Sequence, residues 1–76
     1  MKFGSNLKCL RKKTGLNQAD LAEIIGKKKS AISYYESGTG FPDLSIAKQI
    51  SDYFGISLDD LIQKDLSQKD IKGRNE

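Results

Sequence analysis

Apolar residues recur at helical spacing in five short segments of the chain, and glycine-containing turns separate most of these segments. The clearest pair lies within residues 15–38, where two segments meet at Gly26. Asn17 can cap the first segment through its side-chain oxygen, and Gly26 supplies the left-handed residue that ends it. We therefore predict two consecutive helices with a tight turn between them. The positions expected to face each other are Leu21, Ala22 and Ile25 in the first helix and Ala31, Ile32 and Tyr35 in the second.

One helix is predicted before this pair and two after it. We expect the first helix to run from about Asn6 to Lys13, with Ser5 as its cap. The fourth is expected to follow Asp43, which can act as its cap, and to end at Gly55. Its apolar positions are Leu44, Ala47, Ile50 and Phe54.

The fifth predicted helix is short and begins at Ser57-Leu-Asp-Asp60, a segment that resembles a capping box. We expect this helix to bury Leu58, Leu61 and Ile62. The chain shows neither the alternating pattern of a strand nor an internal repeat. The predicted fold class is therefore all-α, with five short helices.

The C-terminal end of the chain is polar and charged from Lys64 onwards. Such a composition is typical of a frayed end or a linker, in which we expect only Leu66 and Ile71 to dock. The chain thus divides into a folded domain, residues 1–64, and a polar tail, residues 65–76. A linker of this kind is compatible with a missing C-terminal domain.

The composition limits the chemistry that this chain can perform. With 76 residues, one cysteine and no histidine, it has no basis for a disulfide framework, a Cys/His zinc site or a His-based catalytic triad. Cys9 lacks a base and an orienting partner, so we expect no enzyme activity, no cofactor and no metal. No apolar run approaches the length of about 20 residues that spans a bilayer. We expect a soluble cytoplasmic protein that does not contact membranes.

Charge is distributed unevenly along the chain. Residues 1–30 carry eight basic and two acidic side chains, a net charge of +6, whereas residues 31–76 carry a net charge of −3. Three of the basic residues, Lys27, Lys28 and Lys29, stand at the predicted start of the third helix, where the helix dipole disfavours cations. A solvated turn would explain a lysine run elsewhere. At this helix end, a bound polyanion would turn the unfavourable placement into attraction.

Two capped helices joined by a glycine-marked turn are the pattern of a DNA-binding helix-turn-helix, whose second helix enters the major groove. The predicted third helix would direct a polar face towards the DNA. The residues on that face are Lys28, Lys29, Ser30, Ser33 and Tyr34.

The chain resembles the DNA-binding domain of the lambdoid phage repressor and Cro family, the Xre-like regulators. The matching stretches are residues 7–18, Leu21-Ala22, Ile32-Ser33, Glu36-Ser-Gly38 and residues 54–61. The resemblance implies a lambda-repressor-like domain in which helices 2 and 3 form the helix-turn-helix. It also implies sequence-specific binding of double-stranded DNA by a transcriptional regulator that acts as a repressor.

The resemblance assigns roles to individual residues. Asn17 and Gln18 are implied to hold backbone phosphates, although Asn17 also serves as an ordinary cap. The base-reading positions correspond to Lys28, Lys29, Ser30 and Tyr34, with Ser33 nearby. The family more often has Ser or Thr where Lys28 stands, so the operator sequence does not carry over, and Lys28 and Tyr34 suit either a base or a phosphate. Arg11 and Glu36 are implied to pair between the first helix and the end of the third.

The expected partner is a palindromic operator bound by a homodimer, because one short recognition helix reads only a few base pairs. The fifth helix is a candidate dimer contact, unless Leu58, Leu61 and Ile62 are buried in the monomer core.

An antitoxin with a toxin partner, or a restriction-system controller, would use the same DNA-binding domain. A protein-interaction module that has lost DNA binding is a further alternative, which the polar residues on the third helix disfavour.

Overall fold

The computed structural model describes residues 1–66 and contains, within that range, five α-helices and no strand. The helices are α1 (Phe3–Lys13), α2 (Gln18–Ile25), α3 (Lys29–Glu36), α4 (Leu44–Phe54) and α5 (Leu58–Gln63). The all-α fold class and the consecutive second and third helices are thereby confirmed. None of these five helices is long and apolar enough to cross a membrane.

The ends of α2 follow from residues in its immediate neighbourhood. Asn17 Oδ1 accepts a hydrogen bond from the Asp20 amide at 2.8 Å, and Asp20 Oδ2 accepts one from the Asn17 amide at 3.0 Å. This reciprocal pair is a complete capping box. At the other end Gly26 adopts φ 70°, the left-handed conformation that a glycine reaches without strain. Both predicted ends of this helix are confirmed.

The predicted caps of the last two helices also form. Asp43 Oδ1 accepts a hydrogen bond from the Ile46 amide at 2.9 Å, and Ser57 Oγ accepts one from the Asp60 amide at 3.1 Å. The capping box predicted at the start of α5 is half formed: the Asp60 carboxylate does not accept the Ser57 amide and lies 3.5 Å from Lys64 Nζ. Short polar side chains thus determine where α4 and α5 begin.

The core lies where α1, α2 and α3 meet, and α4 and α5 close it from the other side. Every helix contributes at least one fully or almost fully buried side chain. The largest of these are Phe3, Leu7, Leu21, Ile32, Ile50 and Leu61. Leu61 is buried as expected, whereas Leu58 and Ile62 are only half-buried.

The first helix begins earlier than its sequence predicts. It starts at Phe3 with Lys2 as N-cap residue, so the expected start at Asn6 and the expected Ser5 cap are wrong. Tertiary contacts replace the missing cap. The Lys2 amide donates to the Ile62 carbonyl at 2.8 Å, and the Phe3 ring packs edge-on against Phe41 with ring centroids 4.7 Å apart.

The buried face of α4 is rotated relative to the predicted one. Leu44 is 72% exposed, and Ile46 is buried in its place alongside Ala47 and Ile50. At 100° per residue, Leu44 lies about 120° around the helix from Ile50, whereas Ile46 lies only about 40° from it. The core covers the narrower arc, so the prediction that Leu44 belongs to it is wrong.

The chain stays packed beyond α5, because Asn6 binds the segment that follows. Asn6 Nδ2 donates to the carbonyls of Leu61 at 2.8 Å and Lys64 at 2.6 Å, and Asn6 Oδ1 accepts from the Leu66 amide at 3.0 Å. Leu66 is buried, which confirms its predicted docking and carries the packed structure as far as this residue. Ile71, for which docking was also predicted, lies outside the described residues.

Candidate nucleic-acid interface

Helices α2 and α3 are joined by a very short turn. The Lys27 amide donates to the Ala22 carbonyl at 2.8 Å, so the backbone reverses directly after Gly26 and reaches the start of α3 at Lys28. Ile32 is fully buried and Tyr35 nearly so, which fixes one face of α3 on the core. The opposite face of α3 must therefore point away from the protein.

The residues on this outer face have the exposure that the sequence predicts. All five are exposed: Lys28, Lys29, Ser30, Ser33 and Tyr34. Their side chains form no hydrogen bond or ion pair with any other residue within residues 1–66. This polar surface, which we call the α3 face, is thus uncommitted in the free protein.

The start of α3 has no side-chain cap. Lys28 occupies the N-cap position with extended backbone angles, and no acidic residue stands in the first turn. In this first turn the Ala31 amide donates to the Lys28 carbonyl at 2.9 Å. The Lys29 and Ser30 amides have no partner within residues 1–66 and keep their positive partial charge beside the two lysine side chains. This end of the α3 face therefore suits an anion.

A buried ion pair fixes the other end of α3. Arg11 Nε and Nη2 donate to Glu36 Oε2 and Oε1 at 2.6 and 3.0 Å, and the two side chains are only 8% and 5% exposed. Arg11 Nη1 also donates to the Leu16 carbonyl at 2.9 Å. The hydrogen bonds to Glu36 raise the pKa of Arg11, against the opposing effect of desolvation. The pair predicted between these two residues is confirmed.

Glu36 also holds the first residue of α2. Gln18 Nε2 donates to Glu36 Oε1 at 3.0 Å, so one carboxylate connects α1, α2 and α3. The second hydrogen of the Gln18 amide and the backbone N–H of Ala19 remain available at the start of α2. No local sequence signal indicated this bond, because its partners stand 18 residues apart.

A shallow groove runs between the starts of α2 and α3. Its lining residues are Arg11, Asn17, Gln18, Ala19 and Lys29. The structure thus places Asn17 and Gln18, the two predicted phosphate anchors, in the same groove as Lys29, one of the predicted base-reading residues. Asn17 Oδ1 serves as the cap of α2, which leaves only its Nδ2 group for a partner outside the protein. Ala19 did not stand out in the sequence, since it contributes through its backbone.

Comparison with known proteins agrees with this geometry. The family model described as a helix-turn-helix domain matches residues 4–67. The chain belongs to this family. The match covers α1 to α5, so the helix-turn-helix domain comprises all of the helices described above.

Similar proteins include transcriptional regulators of several kinds. The domain is 39% identical over 62 residues to the HTH-type transcriptional activator BcrR of Enterococcus faecalis, a match that covers 82% of this chain and 30% of BcrR. It is 30% identical over 70 residues to the cryptic phage CTXphi transcriptional repressor RstR of Vibrio cholerae, covering 92% of this chain and 63% of RstR. The chain therefore spans less than two thirds of the length of either relative.

A solved structure confirms the arrangement of the helices. The crystal structure of a transcriptional regulator from Listeria innocua is similar to this domain, with a TM-score of 0.74 and 31% sequence identity. The match covers 97% of this chain and 78% of the Listeria chain. Together with the similarity to a phage repressor, it confirms the resemblance to phage repressors and Xre-like regulators that the sequence motifs indicated.

Proposed function

We propose that this helix-turn-helix domain binds double-stranded DNA in a sequence-specific manner and regulates transcription. The observation that carries the proposal is the α3 face, which is exposed, polar and uncommitted, and which starts at an uncapped helix end carrying Lys28 and Lys29. In a helix-turn-helix this surface enters the major groove. Its charge and hydrogen-bonding groups match the acceptors of phosphates and base edges.

The groove between α2 and α3 is the proposed phosphate site. Gln18 is held there by Glu36 and retains one amide hydrogen, and the N–H groups of the first turn of α2 lie beside it. Asn17 lines the same groove, and we assign Lys28, the N-cap residue of α3, to a phosphate as well. Contacts of this kind position the protein on DNA without reading the sequence.

We assign recognition of the DNA bases to the remaining residues of the α3 face. Lys29 is assigned to a guanine, since its ammonium group matches the O6 and N7 acceptors in the major groove. Ser30, Ser33 and Tyr34 complete the set of base contacts. The operator sequence then depends on four side chains that play no part in the core.

Two copies are proposed to bind one palindromic operator, with half-sites about 34 Å apart. The α5 surface offers a limited contact for this purpose, because Leu61 is buried in the monomer and only parts of Leu58 and Ile62 remain accessible. A contact of that size falls short of the roughly 1,200 Å² found in stable complexes. The dimer should accordingly form on DNA rather than in solution.

A DNA-binding domain regulates most simply by occupying a promoter, so we assign it as a repressor. This role needs neither catalysis nor a cofactor, and it places the protein in the cytoplasm with the DNA. Contacts with further domains or other proteins would add to this activity without changing the DNA interface.

Selection of bound sequences from a random DNA pool tests the proposal. The expected result is a palindromic motif whose affinity falls steeply as salt rises, since phosphate contacts release counterions. Lys28→Ala should reduce the slope of log K against log salt by about one unit. Lys48→Ala is the matched control, because it removes the same charge from α4, where Lys48 pairs with Asp52 at 3.0 Å. A slope near zero, or an equal effect of both variants, contradicts the proposed interface.

A further inference from the structure

Tyr34 lies on the α3 face, and its ring is in contact with the loop that follows the same helix. A Cβ atom placed on Gly40 in ideal geometry would stand 2.6 Å from the Tyr34 hydroxyl oxygen and closer still to the ring atoms Cε2 and Cζ. Real side chains do not approach to such distances. The Tyr34 ring therefore occupies the space that any side chain at position 40 would need.

The loop is held beneath the ring by the backbone of Tyr34 itself. The Tyr34 carbonyl accepts hydrogen bonds from Ser37 Oγ at 3.0 Å and from the Thr39 amide at 3.2 Å. The hydroxyl groups of Ser37 and Thr39 are also 2.7 Å apart, which stabilises the turn. Gly40 follows directly, so its place beside the ring is determined by the turn that ends α3.

Backbone conformation does not explain the glycine at position 40. The glycines with positive φ in residues 1–66 are Gly15, Gly26, Gly38 and Gly55. Gly40 is not among them, so a left-handed φ is not the reason for a glycine here. A side chain at this position would instead compete with the Tyr34 ring for the same space.

We propose that Gly40 is a positioning residue for Tyr34 and thereby sets the base preference of the α3 face. This inference rests on the proposed function, because it concerns the same DNA interface. Tyr34 is 50% exposed, and its hydroxyl has no hydrogen-bond partner within the described part of the chain. The ring therefore owes its position in the free protein largely to packing, and a methyl group at position 40 would turn it away from the place where it meets DNA.

The expected effect separates stability from specificity. The atoms that a new methyl group would meet belong to the end of an exposed side chain, which can rotate away, so Gly40→Ala should melt within about 4 °C of the wild type. Its affinity for the wild-type best site should fall about fivefold or more, the lower range for one base contact. The selected motif should change at the base pair that Tyr34→Ala also relaxes.

A double-mutant cycle provides the test. In the full chain carrying Tyr34→Ala, adding Gly40→Ala should alter the affinity less than about twofold, because the ring through which Gly40 acts is gone. An equal loss of affinity in both backgrounds overturns the inference. It would mean that Gly40 acts independently of Tyr34, through its own contact with the phosphate backbone of the DNA. An unchanged motif in Gly40→Ala overturns it as well.

A measurement without DNA separates this inference from the proposed function. Nuclear Overhauser contacts between the Tyr34 ring protons and the Gly40 α-protons are expected in the free wild type. If these contacts are missing in the wild type, the positioning role is wrong whether or not the protein binds DNA. If they are present but the random pool yields no bound sequence, the proposed function fails and the inference about base preference fails with it.

Discussion

Glu36 is the residue whose removal should damage the fold most specifically, because its carboxylate joins three helices. It accepts two hydrogen bonds from Arg11 and one from Gln18, and its side chain is 5% exposed. Glu36→Ala removes all three bonds at once. The Arg11 guanidinium then stays buried with the Leu16 carbonyl as its remaining partner among the described residues.

The size of the effect follows from that uncompensated charge. Removing one partner of a buried ion pair lowers the free energy of unfolding by about 3 to 5 kcal/mol. For a domain of this length, 1 kcal/mol corresponds to roughly 4 to 8 °C in melting temperature. Glu36→Ala should therefore melt at least about 12 °C below the wild type. The lost free energy is a large part of the roughly 5 to 15 kcal/mol that stabilises a small domain.

Urea unfolding, monitored by circular dichroism, measures the change in the free energy of unfolding. The matched control is the double variant Arg11→Met with Glu36→Met, which replaces both charges by apolar side chains and should recover much of the lost stability. If Glu36→Ala unfolds within about 0.5 kcal/mol of the wild type, the pair is not an anchor of α3 and the reasoning fails.

The pH dependence of this contribution has a definite sign. The pKa of Arg11 is raised in the folded protein, chiefly by its hydrogen bonds to Glu36. A raised pKa contributes stability that is fully present below the ordinary pKa of the group and is lost as the pH rises through the folded value. Since arginine titrates only at strongly alkaline pH, the contribution of Arg11 should stay constant across the neutral range.

Three further substitutions test the interface and the packing. Lys29→Ala should weaken binding to the best site by about 1 to 3 kcal/mol and relax one base pair per half-site in the selected motif. Asn6→Ala should lower the free energy of unfolding by about 3 kcal/mol in urea, because it leaves the buried Leu61 carbonyl and the buried Leu66 amide unpaired. Gly4→Ala should lower it by about 1 to 3 kcal/mol, since its Cβ would stand 2.7 Å from the Tyr35 carbonyl oxygen, a backbone atom.

The parts of the fold that could be predicted depend on neighbouring residues. Asn17, Asp43 and Ser57 cap helices through bonds to amides three residues away, and Gly26 ends α2 through its own backbone angles. Such interactions are written in a few consecutive positions. The helical period of the apolar residues supplies the remaining information, so the order and number of helices followed from the sequence.

Features that depend on distant residues could not be predicted in this way. The early start of α1 relies on a bond between Lys2 and Ile62, and the burial of Asn6 relies on partners 55 to 60 residues away. An asparagine inside a helical pattern is more often exposed, so nothing around Asn6 signals its role. Leu44 was misplaced because a period of 3.6 residues leaves the edge of the buried face undefined until the neighbouring helices are known.

The candidate site could be predicted more fully than the core, because surface residues need little from the rest of the chain. The outward direction of the α3 face follows from helical periodicity once Ile32 and Tyr35 face inwards. The contacts that hold the site in place were less accessible. The Gln18 bond to Glu36 and the Tyr34 contact with Gly40 both depend on how the turns bring separate segments together.

The residues that hold α3 in the fold are different from those that we propose to bind DNA. Lysines at its start are unfavourable by about 0.3 to 1 kcal/mol each, and no side chain caps that end. Burial of Ile32 and the Glu36 bonds at the far end hold the helix without help from its first turn. Because stability comes from the core face and the C-terminal end, the residues at the start of α3 are free to be selected for the DNA contacts that we propose for them. Substitutions at Lys28 and Lys29 should thus change binding while leaving the fold intact.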